Sequence, residues 1–284
     1  VFDLEWADNP QVSPDGKTIV YVRQANDIMK DRAKSSLWQV KADGSEHKPL
    51  HSGLTNSSSQ RWSPDGKKIA YISSESGSRQ IHMLWVESGI TGVISQLQES
   101  PSSLSWSPDG KWLAFTMSIK SSAKPIAKAR SKPEGASWAE KPIVVTTTRY
   151  QYDGQGIVEP AYRHVFVVPA DGGAARQLTT GNFNHYGSLA WSKDSQQIYF
   201  SAHRSEDWEL ISGESDIYAV NVTSNELTQI TSQSGAESSP VISNDGKTLA
   251  FNHKVRRPLA YTPEHLAVMS LKTKKITLLT VKPE

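Results

Sequence analysis

The sequence predicts an all-β fold, a β-propeller of four-stranded antiparallel blades, on three observations. A turn motif recurs along the chain, strand-like apolar runs flank each copy, and a second pair of strand-like runs follows. The copies are "PQVSPDGKTIVY" (10–21), "QRWSPDGKKIAY" (60–71), "LSWSPDGKWLAF" (104–115), "LAWSKDSQQIYF" (189–200) and "PVISNDGKTLAF" (240–251). Their aspartates are Asp15, Asp65, Asp109, Asp194 and Asp245, so three of the four intervals span 44 to 51 residues and the third spans 85. A β-sandwich has similar hairpins but does not repeat a whole four-strand unit at fixed spacing.

Each element follows from its residues. In Ser-Pro-Asp-Gly, Pro presets φ at the first central turn position, Asp follows it, and Gly takes the positive φ that leads back into a strand. Five equivalent copies make the aspartates structural turn residues rather than catalytic ones, each accepting backbone N–H groups. Before the turn stands Val12, Trp62, Trp106, Trp191 or Ile242; after it come alternating or continuous apolar runs such as "KKIAYIS" and "KTLAFNH". The second strand pairs are legible in "RHVFVVPADGGAARQLT" (163–179), "DIYAVNVTSNELTQIT" (216–231) and "HLAVMSLKTKKITLLT" (265–280).

Residues 1–284 read as a single propeller domain with five clear repeats and six or seven blades expected. The long third interval holds either a further blade whose turn has decayed, around "TTTRYQYDGQG" (146–156), or an insertion in one blade. An incomplete ring would leave strand edges exposed and favour self-association.

Composition excludes several classes. With 31 basic and 29 acidic residues the net charge is +2, too balanced to imply nucleic acid or an anionic membrane as partner. The absence of cysteine excludes disulfides, thiolate-bound zinc, iron–sulfur clusters and a cysteine nucleophile. No apolar run reaches membrane-spanning length. Val1 opens no basic, apolar, small-residue signal, which leaves a processed chain, a trimmed one or a cytosolic one open. The run "IKSSAKPIAKARSKP" (119–133) carries Lys120, Lys124, Lys128, Arg130 and Lys132 without an acid and reads as a solvated loop, with a contact arm for an acidic partner as the alternative.

Catalytic signatures are missing. No Gly-x-Ser-x-Gly elbow occurs; "GASWA" (135–139) and "GESDI" (213–217) both lack the last glycine. No His-Glu-x-x-His occurs, and Pro49 separates His47 from His51, so neither a metal nor a cofactor is expected. His82 in "QIHMLWV" reads as a packing residue, and the "DGG" at 171–173 as a hairpin turn rather than a phosphate loop. The Asp box of sialidase propellers spaces its residues differently and is not matched. One acidic cluster remains: "SEDWELISGE" (205–214) gathers Glu206, Asp207, Glu209 and Glu214 around Trp208. Carboxylates beside an aromatic ring can hold an ammonium group, which makes Glu206, Trp208 and Glu209 the substrate-binding candidates.

With these repeats the chain resembles the N-terminal propeller of the prolyl oligopeptidase family of serine peptidases, especially its acylaminoacyl-peptidase and dipeptidyl-peptidase-like branches. The resemblance rests on "VFDLEWADNPQVSPDGKTIVYV" (1–22), "WAEKPIVVTTTRYQYDGQG" (138–156), "HVFVVPADGGAARQLT" (164–179) and "LAWSKDSQQIYF" (189–200). Single WSPDGK copies also occur in TolB-like propellers, so a free-standing propeller that binds a protein partner is the alternative. The resemblance implies a non-catalytic domain that caps a C-terminal α/β-hydrolase domain. No residue here matches that domain's nucleophile elbow or its Ser-Asp-His triad. It further implies gating of access by short peptides, and an exported, periplasmic location. The dipeptidyl branch holds the substrate's free N-terminus with a glutamate pair on the propeller, and "SEDWELISGE" is similar to that arrangement at Glu206 and Glu209.

Overall fold

A four-stranded sheet with apolar residues on both faces needs a neighbour on each side. The computed structural model describes residues 3–50, 56–121, 130–139, 143–256 and 262–280, and five such sheets form among them. The first holds β1 (Glu5–Val12), β2 (Thr18–Asp27), β3 (Arg32–Lys41) and β4 (Lys48–Pro49). The second holds β5 (Ser57–Trp62), β6 (Lys68–Ser73), β7 (Gln80–Trp85) and β8 (Thr91–Val93). In the third, β9 (Pro101–Trp106) and β10 (Trp112–Lys120) are followed by a small hairpin, β11 (Gln151–Tyr152) and β12 (Gly156–Ile157), before the sheet resumes with β13 (Ala161–Pro169) and β14 (Arg176–Gln177). The fourth holds β15 (His185–Trp191), β16 (Gln197–Ala202), β17 (Asp216–Asn221) and β18 (Leu227–Gln229). The fifth holds β19 (Gly235–Ile242), β20 (Thr248–Val255), β21 (His265–Ser270) and β22 (Ile276–Leu278). All five are antiparallel meanders.

The fold is thus the all-β propeller that the repeats predict. The 85-residue interval is an insertion between the second and third strands of one blade: β10 pairs with β13 from Trp112↔Pro169 through Lys120↔Ala161, and the residues between them leave the sheet. Its described part holds a two-stranded hairpin, not a further four-stranded blade.

The repeated turn closes by the same bonds each time. The Ser hydroxyl donates to the Asp carboxylate at 2.5–2.6 Å in all five copies, Ser13–Asp15 to Ser243–Asp245. The same carboxylate oxygen accepts the backbone N–H two residues on, and the Ser oxygen accepts that of the residue five on, as with Lys67 and Lys68 in the second sheet. Gly66 sits at φ +71, where a side chain would be strained. The fourth copy carries Ser195 there, at φ 60, and its hydroxyl accepts a bond from the Asp109 N–H of the preceding blade's turn.

The first four blades are stapled in succession by the Trp before the turn. The indole N–H of Trp62 donates to Gln11 O, that of Trp106 to Arg61 O, and that of Trp191 to Ser105 O, at 3.0–3.3 Å, each time reaching the innermost strand of the preceding blade. An apolar seam joins each pair of successive blades, including the fourth and fifth, where Ile242 stands in place of the Trp. Val20, Val22 and Leu37 meet Ile69, Tyr71 and Leu84; Ile72 and Met83 meet Leu113 and Phe115; Val165 and Val167 meet Ile198 and Phe200; Ile217 and Ala219 meet Leu249 and Phe251. Four seams join five sheets in chain order. Among the described residues the fifth sheet makes no comparable packing with the first.

Two further expectations resolve in the core. His82 is buried and stacked on Tyr71, with ring centroids 5.4 Å apart. Ser215 of "GESDI" donates to Glu237 O and so ties two blades together, whereas Ser137 of "GASWA" lies exposed in the insertion.

The turn chemistry makes a pH-dependent prediction. The Ser63 hydroxyl and then the Lys67 N–H hold the Asp65 carboxyl below its ordinary value of 3.8. A depressed native pKa contributes stability above the unfolded value that is lost as pH falls through the native one. Ser63→Ala is therefore expected to cost about 1 kcal/mol at pH 7. In urea titrations the gap from wild type narrows below about pH 4, leaving the pH-independent part that comes from the lost acceptor of Lys68 N–H.

Candidate functional site

Loops between second and third strands of adjacent blades emerge on the same side of the ring. In the third blade this loop is the insertion, and in the fourth it is residues 203–215, which hold the acidic cluster. The two meet. Residues 205–210 form a compact turn, closed by Trp208 N–H to Ser205 O at 3.3 Å and Leu210 N–H to Asp207 O at 2.9 Å. The Glu209 carboxylate accepts two bonds from the insertion, from the Thr148 N–H and the Thr148 hydroxyl, both at 2.9 Å. A cleft of 510 Å³ opens between the loops, lined by Glu206, Asp207, Trp208 and Glu209 on one side and by Thr148 and Tyr162 on the other.

The structure thus brings Glu206, Trp208 and Glu209 to one cleft, with Asp207 beside them. Glu214 does not line it; its carboxylate accepts the Gly235 N–H at 2.9 Å and pairs with Arg256 at 3.3 Å. Trp208 already has two partners within the chain. Its ring meets the Tyr162 edge at 6.2 Å, and the chain's own Arg149 lies over it at 6.0 Å. That aromatic face has a cation from the chain itself, and the carboxylates are the cleft's remaining groups whose chemistry suits an external one. Burial first, and then the negative charge of Glu209, pushes the Tyr162 hydroxyl up.

The acidic turn is anchored from below by a group that sequence patterning does not single out. His185, fully buried on β15, contacts Arg163 O through Nδ1 at 2.7 Å and Arg204 Nη1 through Nε2 at 2.8 Å. A carbonyl only accepts and a guanidinium only donates, so His185 is the Nδ1–H tautomer and neutral. Burial, reinforced by the neighbouring His164 and Arg204, lowers it to about 3. Arg204, held also over the Phe183 ring at 4.4 Å, immediately precedes the turn.

Two acids, one half-buried and one buried, were also hidden among strand residues. Asp216 is pushed up to about 6 by burial and then by Glu214. Glu237 is fully buried and pushed up to about 7 by burial, with the Asp216 charge adding to the rise. His253 Nδ1 lies 3.6 Å from its carboxylate, and burial and then His265 lower that imidazole. These groups sit where the fourth and fifth blades join, not in the cleft. A separate cavity of 970 Å³ between the end of the second blade and the middle strands of the third contains none of the substrate-binding candidates. Of the basic run, Lys120 pairs with Glu159 at 3.2 Å, Arg130 and Lys132 are exposed, and Lys124 and Lys128 lie outside the described residues, as does His51. Among the described residues no group of metal-ligating side chains forms a site.

Residues 138–256, which run from the later part of the insertion through the fourth blade into the fifth, match the family described as the dipeptidyl peptidase IV (DPP IV) N-terminal region. This match agrees with the resemblance to the N-terminal propeller of the prolyl oligopeptidase family. The chain is 28% identical over 295 aligned residues to dipeptidyl-peptidase 5 of Porphyromonas gingivalis, covering 94% of this chain and 40% of that protein. It is 30% identical over 201 residues to the uncharacterized peptidase YuxL of Bacillus subtilis, covering 70% and 30%. The chain therefore spans between 30% and 40% of the length of these two relatives. Among solved structures, an acylaminoacyl peptidase of Pyrococcus horikoshii superposes with a TM-score of 0.70 at 15% identity over 98% of this chain and 39% of that one. TolB of Acinetobacter baumannii superposes at 0.56 and 17%, over 97% and 68%. These two likenesses concern the fold.

Two outcomes test the supports of the site. A raised native pKa on an acid gives stability below its unfolded value that is lost as pH rises through the native one. Glu237→Gln, which cannot ionise, is accordingly expected to unfold at higher urea than wild type at pH 8, with the difference shrinking by pH 5. His185→Leu fills the same space but removes the acceptor of Arg204. Hydrogen exchange of the 203–210 amides is expected to speed up on the order of tenfold, with exchange in the second blade unchanged.

Proposed function

We propose that this propeller serves a prolyl oligopeptidase-family serine peptidase as its non-catalytic domain. On this reading it limits access to a hydrolase domain to short peptides, and its acidic cleft holds the free N-terminal ammonium of the peptide. Rigid blades exclude folded proteins from the path while loops contact what passes. The observation that carries the reading is the convergence of Glu206, Asp207 and Glu209 on one cleft, with Glu209 fixed through Thr148. An ammonium group there has three carboxylates to neutralise it and a hydroxyl-lined wall opposite. The family match over residues 138–256 and the dipeptidyl-peptidase relative support the peptide as ligand class.

Calorimetric titration of the 284-residue chain with a short peptide amide, free or N-acetylated, tests this. The free amine is expected to bind and the acetylated form to lose at least about tenfold, since acetylation removes the charge. Glu209→Gln should lower affinity for the free amine by a similar factor, and raised salt should weaken it. Equal binding of both forms would overturn the reading.

A further inference from the structure

Glu237 and His253 are cross-strand partners on β19 and β20, at the junction where the fourth blade meets the fifth. The Glu237 side chain is fully buried, and among the described residues neither carboxylate oxygen has a hydrogen-bond partner at normal geometry. His253 Nδ1, 3.6 Å away, is too far for a hydrogen bond. Burial and then His265 hold that imidazole below its ordinary value, so it carries no charge at neutral pH. The Thr231 hydroxyl, which accepts the Ile217 N–H at 2.8 Å, is the neighbour that favours the charged form of Glu237. Asp216, at the head of β17, opposes it, and Glu214 acts on Asp216 in turn. The nearby cations are engaged elsewhere: Arg256, just past β20, pairs with Glu214, and Lys254 is exposed. Of the other titratable neighbours, burial raises Tyr218 beside Asp216 and lowers His203 at the start of the loop, so neither supplies a charge at neutral pH. An ionised Glu237 is thus a buried charge without a counter-ion, which is costly to keep.

The acidic loop is tied down at the same place. The Ser215 N–H donates to Gly235 O at 3.1 Å, the Glu237 N–H to Ser215 O at 2.8 Å, and the Ser215 hydroxyl to Glu237 O at 2.9 Å. The Glu214 carboxylate accepts the Gly235 N–H at 2.9 Å. These bonds join the end of the loop to β19, and Glu237 takes part in them through its own main chain. Opening them is what lets its carboxylate reach water.

We propose that Glu237 is a proton-operated latch on the acidic loop: protonated, it lets the fourth and fifth blades close on residues 214–215, and ionised, it favours opening of that junction. Release frees one end of the loop that carries the cleft carboxylates, while Arg204 on His185 still holds the other. The latch works whatever the cleft binds. Burial, against the Thr231 hydroxyl and with the Asp216 charge, raises the carboxyl to about 7. A raised native value on an acid gives stability that is complete below the unfolded value and lost as pH rises through the native one, so the junction loosens toward alkaline pH.

Hydrogen exchange of the 284-residue chain, with wild type and Glu237→Gln compared at pH 6 and pH 8, tests the latch. Taking the ratio of the two proteins cancels the pH dependence of the exchange chemistry. The Ser215, Gly235 and Glu237 amides are expected to exchange faster in wild type, by a ratio that grows about tenfold from pH 6 to pH 8. In wild type at pH 8 they should also exchange faster than the slowest amides of the second blade. A ratio that stays constant overturns the latch. Exchange no faster than those slowest amides overturns it too, because the junction would then open only with the whole molecule. Carbon-13 titration of the wild-type glutamate carboxyls supplies a reading that does not depend on the variant folding. One carboxyl is expected to titrate near pH 7 and to move down in Asp216→Asn, which removes the neighbouring charge; if every glutamate titrates in the ordinary range, the latch is wrong.

Discussion

Everything in this molecule depends on the need of a four-stranded sheet to cover its apolar faces, which the second to fourth sheets meet on both sides and the first and fifth, among the described residues, on one. A single blade has buried positions on either side of its middle strands, as in β6, where Ile69 and Tyr71 face one neighbour and Ala70 and Ile72 the other. Burial of such side chains stabilises by roughly 1.5–3 kcal/mol each, and only stacking provides it. The indole bonds of Trp62, Trp106 and Trp191 convert that non-directional attraction into a fixed register, because each reaches a carbonyl on the innermost strand of the blade before. Apolar area sets that blades stack; the indole sets how.

Fixed register has a consequence for the loops. When blades repeat at one angle, the connections between their second and third strands line up on one side, whatever their sequences. The insertion of the third blade and the acidic turn of the fourth are therefore neighbours by topology, although Thr148 and Glu209 are 61 residues apart. Function placed on such loops borrows its precision from the strands that carry them.

The repeat was legible because turn chemistry is local: Ser63, Pro64, Asp65 and Gly66 satisfy one another within a few residues, and the sequence pattern contains the whole interaction. The aromatic before the turn was legible as a core residue, but its bond to the preceding blade was not, since Gln11, Arg61 and Ser105 share no residue type. A backbone acceptor leaves no mark in a sequence. Whether the long interval was a blade or an insertion was likewise undecided: "TTTRYQYDGQG" can be read as the decayed turn of a further blade, yet among the described residues of the insertion only Gln151↔Ile157 and Tyr152↔Gly156 pair. The acidic cluster was visible as composition, and the structure divided it, with Glu206 and Glu209 in the cleft and Glu214 at a blade junction. His185, Arg204 and Glu237 gave no signal, because a polar residue on a strand reads as solvent-facing until tertiary packing buries it.

A carboxylate on a loop binds an ammonium weakly when both must be ordered first, which is why exposed ion pairs contribute so little. The cleft avoids that cost on the protein's side. Glu209 is held from the insertion by two bonds to Thr148, and its turn is held from the sheet by Arg204 on a neutral, buried His185. The neutrality matters: a protonated imidazole would offer no acceptor to the guanidinium, and the depressed pKa keeps the acceptor in place across the physiological range. β15, which carries His185, is in turn fixed by the bond of Trp191 to Ser105 O. The chain of constraint thus runs unbroken from an indole in the core to a carboxylate in the cleft, so that carboxylate is ordered in advance of any ligand.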